Sequence, residues 1–246
     1  MRHSLQLRAA AVLLAWASPV PAWPTVELGW QRALGTALGP VELSRSVAHV
    51  GDRQRLRGVL RSLLLGQPIH FAVVGGSISA GSTLGIQHRK AAWLWHGQFF
   101  EWLNTTFPNA GHRRFNGAVP ASTPGYVTGC LSFHVPPTAQ LIVVEYSVNT
   151  PDAREYERLL RRLLVYPNRP AVLLLHMFKW WPPHKGRGFV GDVSTIEPAD
   201  LEFTFLDAHI ESSANEMAQH YGLPSLSMRN ALFHKVRAAH YAHSHG

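Results

Sequence analysis

Cysteine is almost absent. The 246 residues include a single one, Cys130, so a fold stapled by internal disulfides is excluded. Flanked by Gly129 and Leu131, this thiol reads as buried and inert. Charge is scarce as well. Only 15% of the residues are charged against 46% hydrophobic, which excludes a disordered chain and suits one sizeable packed domain. Acidic side chains are the scarcer sign, 15 against 23 Lys and Arg, for a formal charge of +8. Fifteen histidines would add to that charge in an acidic compartment. The excess suits an acidic matrix or an anionic polysaccharide, although the basic residues are scattered. No Lys/Arg block is interleaved with aromatics and no zinc-finger spacing occurs, so no nucleic-acid partner is expected.

Long apolar runs are missing too. Residues 9–17 (AAAVLLAWA) are too short to span a bilayer comfortably, and no later run is longer, so no stable membrane insertion is expected. This stretch follows the basic start of Arg2, His3 and Arg8 and precedes Val20-Pro21-Ala22. It reads as a secretory signal over residues 1–22, with the protein secreted or held in the secretory pathway. Its removal would leave a charge of about +6. Residues 23–50 then form an N-terminal extension, and residues 51–246 form the main domain. There is no repeat and no low-complexity linker.

What is present is an alternation of helical and strand patterns. Residues 52–65 place Leu56, Val59, Leu60, Leu63 and Leu64 on one helical face, with Asp52 as N-cap and Gly66 as stop. Further helices are expected over 91–103, 151–164, 206–221 and 230–242. Strands are expected over 69–74, 114–116, 140–146, 171–176 and 223–227. Strands apolar on both faces and separated by helices imply a parallel sheet in a three-layer α/β fold. Such sheets carry their chemistry at the carboxyl ends of the strands. The residues there are Gly75-Gly76-Ser77 after the first strand, Asn116 at the end of the second and Asn149 after the third. G-x-G-x-x-G is absent and no Lys follows the glycines, so neither a dinucleotide loop nor a P-loop is present and no cofactor is expected.

Taken together, GGSISAG (75–81), NGAVPASTPGY (116–126) and EYSVNT (145–150) resemble the blocks of the SGNH (GDSL-like) hydrolases, in order and in context, across residues 52–230. The resemblance is nearest to the SGNH-like secreted proteins of green algae. It implies a five-stranded parallel sheet in the flavodoxin-like order 2-1-3-4-5. It implies Ser77 as nucleophile, with an oxyanion held by the Ser77 N–H, the Ala121 N–H and the Asn149 amide. Alanine stands at 121 where the family has glycine, and Thr150 stands where it has aspartate. The implied activity is ester hydrolysis or acyl transfer on a small ester or an O-acylated polysaccharide, O-acetylated glycans being one such substrate. Preorganised donors of this kind are each worth about 3 kcal/mol in the transition state.

A serine hydroxyl needs a base, ordinarily a histidine oriented by a carboxylate. The family takes both from an Asp-x-x-His block after the last strand. No acidic residue follows Glu216, and Asp207-Ala208-His209 has the wrong spacing and reads as a helix start. His234, His240, His243 and His245 are the late histidines. His240 is a base without its carboxylate. A metal cluster of His240, His243 and His245 competes with a frayed polar tail, and no metal is expected. Trp180, Trp181 and His184, with Lys179 and Lys185 beside them, follow the fourth strand and either stack on sugar rings or pack under a loop. Two other readings stand beside the esterase: a carbohydrate-binding homologue without turnover, and an anion site at the glycine turn.

Overall fold

A computed structural model describes residues 38–82, 94–150, 152–178 and 210–244. Six strands form one sheet: β1 (Val47–His49), β2 (His70–Gly75), β3 (Arg113–Asn116), β4 (Leu141–Glu145), β5 (Ala171–His176) and β6 (Ser225–Ser227), in the order β1-β6-β5-β4-β2-β3. β2 pairs in parallel with β3 and with β4, and β5 in parallel with β4 and with β6. β1 pairs antiparallel with β6 at one edge. The expectation of five strands, all parallel, is therefore corrected: among the described residues the sheet has six strands and is mixed. The sixth was missed because it is three residues long, is not an apolar run and comes from residues ahead of the first expected helix.

The central strands explain the sequence pattern. Every residue of Leu141–Glu145 is buried, as are residues 71–75, because helices cover both faces. On one face lie α5 (Pro124–Gly129), α6 (Leu131–His134), α7 (Ala153–Leu164) and α8 (Glu211–Tyr221). On the other lie α2 (Gln54–Leu64) and α4 (Trp95–Thr106). The short α3 (Ser77–Ala80) follows β2 directly, while α1 (Pro40–Ser46) and α9 (Met228–Ser244) pack together beside the β6 edge.

α7 shows why such helices form. Tyr156, Leu159, Leu160 and Leu163 recur at helical spacing and are fully buried, while Asp152 caps the first turn by accepting from the Arg154 N–H at 2.8 Å. Each buried leucine contributes about 1.5–3 kcal/mol. The last turn of α7 is tied across the molecule: the Arg55 guanidinium donates to the Leu164 and Pro170 carbonyls. Among the described residues, no helix is long and apolar enough to cross a membrane. Cys130 is half-exposed, not buried, and its thiol donates to the Tyr126 carbonyl at 3.2 Å.

At the β5–β6 edge a buried ion pair fixes the start of α9. Arg229 Nη2 lies 3.1 Å from Glu211 Oε1, with the two side chains 6% and 1% exposed. The Ser227 hydroxyl donates to the same carboxylate oxygen at 2.6 Å. Burial pushes the Glu211 pKa up, and Ser227 and Arg229 oppose it. Breaking such a pair strands a buried charge. Arg229→Leu is expected to lower stability by about 3–5 kcal/mol. Glu211→Leu in the same chain should restore most of the loss, and urea unfolding of both variants checks this.

Candidate active site

The carboxyl end of β2 is a crowded backbone junction. Gly76 N–H donates to the Glu145 carbonyl at 3.3 Å, which ties the turn to β4. On the other side, Val119 N–H donates to the Gly75 carbonyl at 3.0 Å, which ties it to the loop after β3. A Cβ at Gly75 would sit 2.7 Å from the Glu145 carbonyl oxygen. A Cβ at Gly76 would sit 2.5 Å from Asn149 Cγ and 2.8 Å from its Nδ2, and closest of all to Oδ1. Glycine is required at Gly75, where the neighbour is backbone, and at Gly76 a side chain would have to push the Asn149 amide aside.

This packing brings two of the three sequence candidates together. The Asn149 amide lies against the residue that precedes Ser77, and Asn149 Oδ1 is buried with no hydrogen-bond partner among the described residues. Its backbone is held by a turn in which Asn149 N–H and the Thr150 hydroxyl both donate to the Tyr146 carbonyl, at 3.0 and 2.7 Å. Thr150 thus serves a turn bond where the resembled family has a carboxylate. Ser77 is half-buried and opens α3.

Ala121 is the third candidate, on the exposed crest of the loop anchored to Gly75. Its φ is 57°, a left-handed conformation that costs alanine about 1–2 kcal/mol and glycine nothing. The neighbouring Ser122 holds the loop down. Its hydroxyl bonds the Val119 carbonyl at 2.7 Å and pairs with the Tyr146 hydroxyl at 3.0 Å. Burial pushes the Tyr146 pKa up to about 12, so this phenol is a neutral strut.

Beneath Ser77 lies a polar layer that the sequence reading missed. The Ser79 hydroxyl donates to Glu145 Oε2 at 2.8 Å and accepts from Trp95 Nε1 at 3.1 Å. The Ser79 carbonyl meets His96 Nε2 at 3.0 Å and the Asn116 amide at 3.4 Å. Arg114 Nη1 lies 2.6 Å from His96 Nδ1. Desolvation first, then Arg114, pulls the His96 pKa down to about 4. Ser79 and Glu145 stood inside the quoted blocks, but nothing in their spacing announced the contact. His96 and Arg114 carried no signal, because His96 reaches Ser79 from α4 and Arg114 reaches His96 from β3.

Among the described residues no histidine hydrogen-bonds the Ser77 hydroxyl. His49 bonds the Leu223 carbonyl, His70 pairs with Thr138, and His112 bridges Ile69 and Phe107. His234 binds Glu42. His176 ends β5 fully buried beside Ser227, and burial, then Arg229, brings its pKa down to about 4. The side chains of His240, His243 and His245 lie outside the described residues, as do Lys179, Trp180, Trp181, His184, Lys185 and the 207–209 segment. Among the described residues no three His, Cys, Asp or Glu side chains gather as a metal site.

The fold is similar to that of a solved two-domain esterase active on acetylated mannans, with 23% identity and a TM-score of 0.61. The chain shares the fold of that structure's matched part. The likeness covers 79% of this chain and 46% of that one. The same esterase co-crystallised with mannopentaose matches at 23% identity and a TM-score of 0.61, over 79% of this chain and 47% of that one. The chain thus spans about half the length of the structures it matches. No family model matches it, and no curated protein does.

Two substitutions test this junction. Gly76→Ala should displace the Asn149 amide and cost about 1–3 kcal/mol. Asn149→Ala in the same chain should recover part of that loss, as read by a double-mutant cycle in denaturant. Ala121→Gly should stabilise the fold by about 1 kcal/mol by relieving the left-handed alanine, as read from thermal unfolding.

Proposed function

We propose that the protein is a serine esterase of the SGNH type that removes acyl groups from O-acylated glycans, acetylated mannan among them, in the secretory pathway or outside the cell. The reading rests on one observation above all: the Asn149 amide packs against Gly76, next to Ser77, at the carboxyl edge of the sheet. The esterase-like fold and the acetylated-mannan activity of the similar structures agree with it.

In this reading Ser77 Oγ attacks the acyl carbonyl carbon and its proton passes to a base. The carbonyl oxygen becomes an oxyanion that the Ser77 N–H, the Ala121 N–H and the Asn149 amide stabilise. Collapse of the intermediate breaks the bond to the sugar oxygen, which leaves protonated. Water then attacks the acyl-enzyme, releasing the carboxylic acid and restoring the Ser77 hydroxyl. Among the described residues no histidine is hydrogen-bonded to the Ser77 hydroxyl. That same observation favours the second reading, a glycan-binding protein of esterase-like fold without turnover.

The two readings separate in one assay. The esterase releases p-nitrophenol from p-nitrophenyl acetate and acetate from acetylated mannan. Ser77→Ala should abolish both activities, and Asn149→Ala should lower kcat by about 10²–10³-fold. If wild type and Ser77→Ala are equally inert and both bind acetylated mannan, the second reading holds.

A further inference from the structure

Asparagine occurs seven times in the chain. At one of them, Asn104, a hydroxyl residue stands two places on with no proline between, in Asn104-Thr105-Thr106. This is the acceptor sequence for an N-linked glycan. Asn149-Thr150-Pro151 carries its hydroxyl one place too early. The structure also sets Asn104 apart. Among the described residues, Asn109 donates to the Gly66 carbonyl, Asn116 to the Ser79 carbonyl and Asn168 to the Thr138 and Ala139 carbonyls. Asn215 accepts from the Ser225 hydroxyl, and the side-chain oxygens of Asn149 and Asn230 are buried. The Asn104 side chain is half-exposed and makes no hydrogen bond to the described residues. Thr105 does not compete for it, because the Thr105 hydroxyl donates to the Glu101 carbonyl at 2.9 Å.

The place of the motif in the fold suits a bulky hydrophilic group. Asn104 to Thr106 form the last turn of α4, which closes with the Phe107 N–H donating to the Leu103 carbonyl at 2.8 Å and is followed by Pro108. The carbonyls of a helix's final turn lack intrahelical partners, so this turn opens with the loss of few bonds. The first turn of α4 touches Ser79 through Trp95 and His96. Beyond its last turn the chain meets the start of β2, where Asn109 holds the Gly66 carbonyl and His112 accepts from the Ile69 N–H. Asn104 therefore lies about 14 Å along the helix from Trp95, toward the amino end of the sheet. A glycan there leaves the Ser77 edge open. We propose that Asn104 is a site of N-linked glycosylation. The Asn104 amide nitrogen bonds to the anomeric carbon of an oligosaccharide carried on a lipid diphosphate, and it gives up one proton. The bond from that carbon to the diphosphate oxygen breaks, and the lipid diphosphate leaves with the electron pair. The proposal rests on the reading of residues 1–22 as a secretory signal and is independent of the esterase reading.

The test expresses the full chain with its own first 22 residues in a eukaryotic secretory host. Medium, membrane-enclosed and cytosolic fractions are collected, and each is treated with peptide:N-glycosidase. Wild-type protein from the medium or the membrane-enclosed fraction should run as a heavier band that the glycosidase collapses. Release in heavy-oxygen water should convert Asn104 to labelled aspartate, as read by mass spectrometry of the peptide that contains it. Asn104→Gln and Thr106→Ala should each run at the collapsed position and ignore the glycosidase, whereas Thr106→Ser should keep the heavier band. Protein that enters the secretory pathway with Asn104 unmodified overturns the glycan and leaves the secretory reading standing. Protein confined to the cytosol overturns the secretory reading and the glycan with it. If a variant fails to fold, the wild-type peptide map decides alone.

Discussion

The structure turns on a backbone contact between the ends of β2 and β4. Gly75 passes so close to the Glu145 backbone that no side chain fits between them, and Gly76 lies against the Asn149 amide. Two consequences follow from that one approach. The Asn149 amide can lie against the turn that presents Ser77, and the Glu145 carboxylate can reach the Ser79 hydroxyl below it. A methyl group at Gly75 would push against the β4 backbone, and one at Gly76 would displace the Asn149 amide.

The junction is supported asymmetrically. Toward α7 and α8 the sheet packs on a largely apolar layer of tyrosine, leucine and alanine. Beneath the Ser77 turn, on the α4 side, a chain of polar contacts runs from Arg114 through His96 to Ser79 and Glu145. Apolar packing holds the sheet in register but does not orient a carbonyl. Directional hydrogen bonds do, and in a buried setting each is strengthened by the absence of competing water. The same burial disfavours an added proton on His96, and the neighbouring Arg114 guanidinium adds to that.

The far edge solves a different problem. β6 is short, and β1 covers its open side. α9 is then clipped twice, by Arg229 to Glu211 and by His234 and Lys235 to Glu42. Glu42 illustrates the contrast with Glu211. Its own backbone hydrogen bond and its two basic partners bring its pKa down to about 2. Glu211 has fewer compensating partners, so burial wins and its pKa rises.

By itself the sequence determined the alternation of buried strands and amphipathic helices. Residues 71–75 and 141–145 are apolar enough to demand cover on both faces, and α7 repeats its leucines at helical spacing. It also determined where to look, because the carboxyl ends of parallel strands converge and the glycines flanking Ser77 leave space. The edge strand β1 was not legible: three residues with partners across the chain carry no period, and their pairing is decided by β6. Nor was the left-handed conformation of Ala121, which the loop imposes on a residue that resists it. The grip of His96 on Ser79, and of Arg114 on His96, was decided only by tertiary structure. Those side chains come from α4 and β3, and hydrogen-bond partners are chosen by distance in space, which local spacing in the chain does not encode.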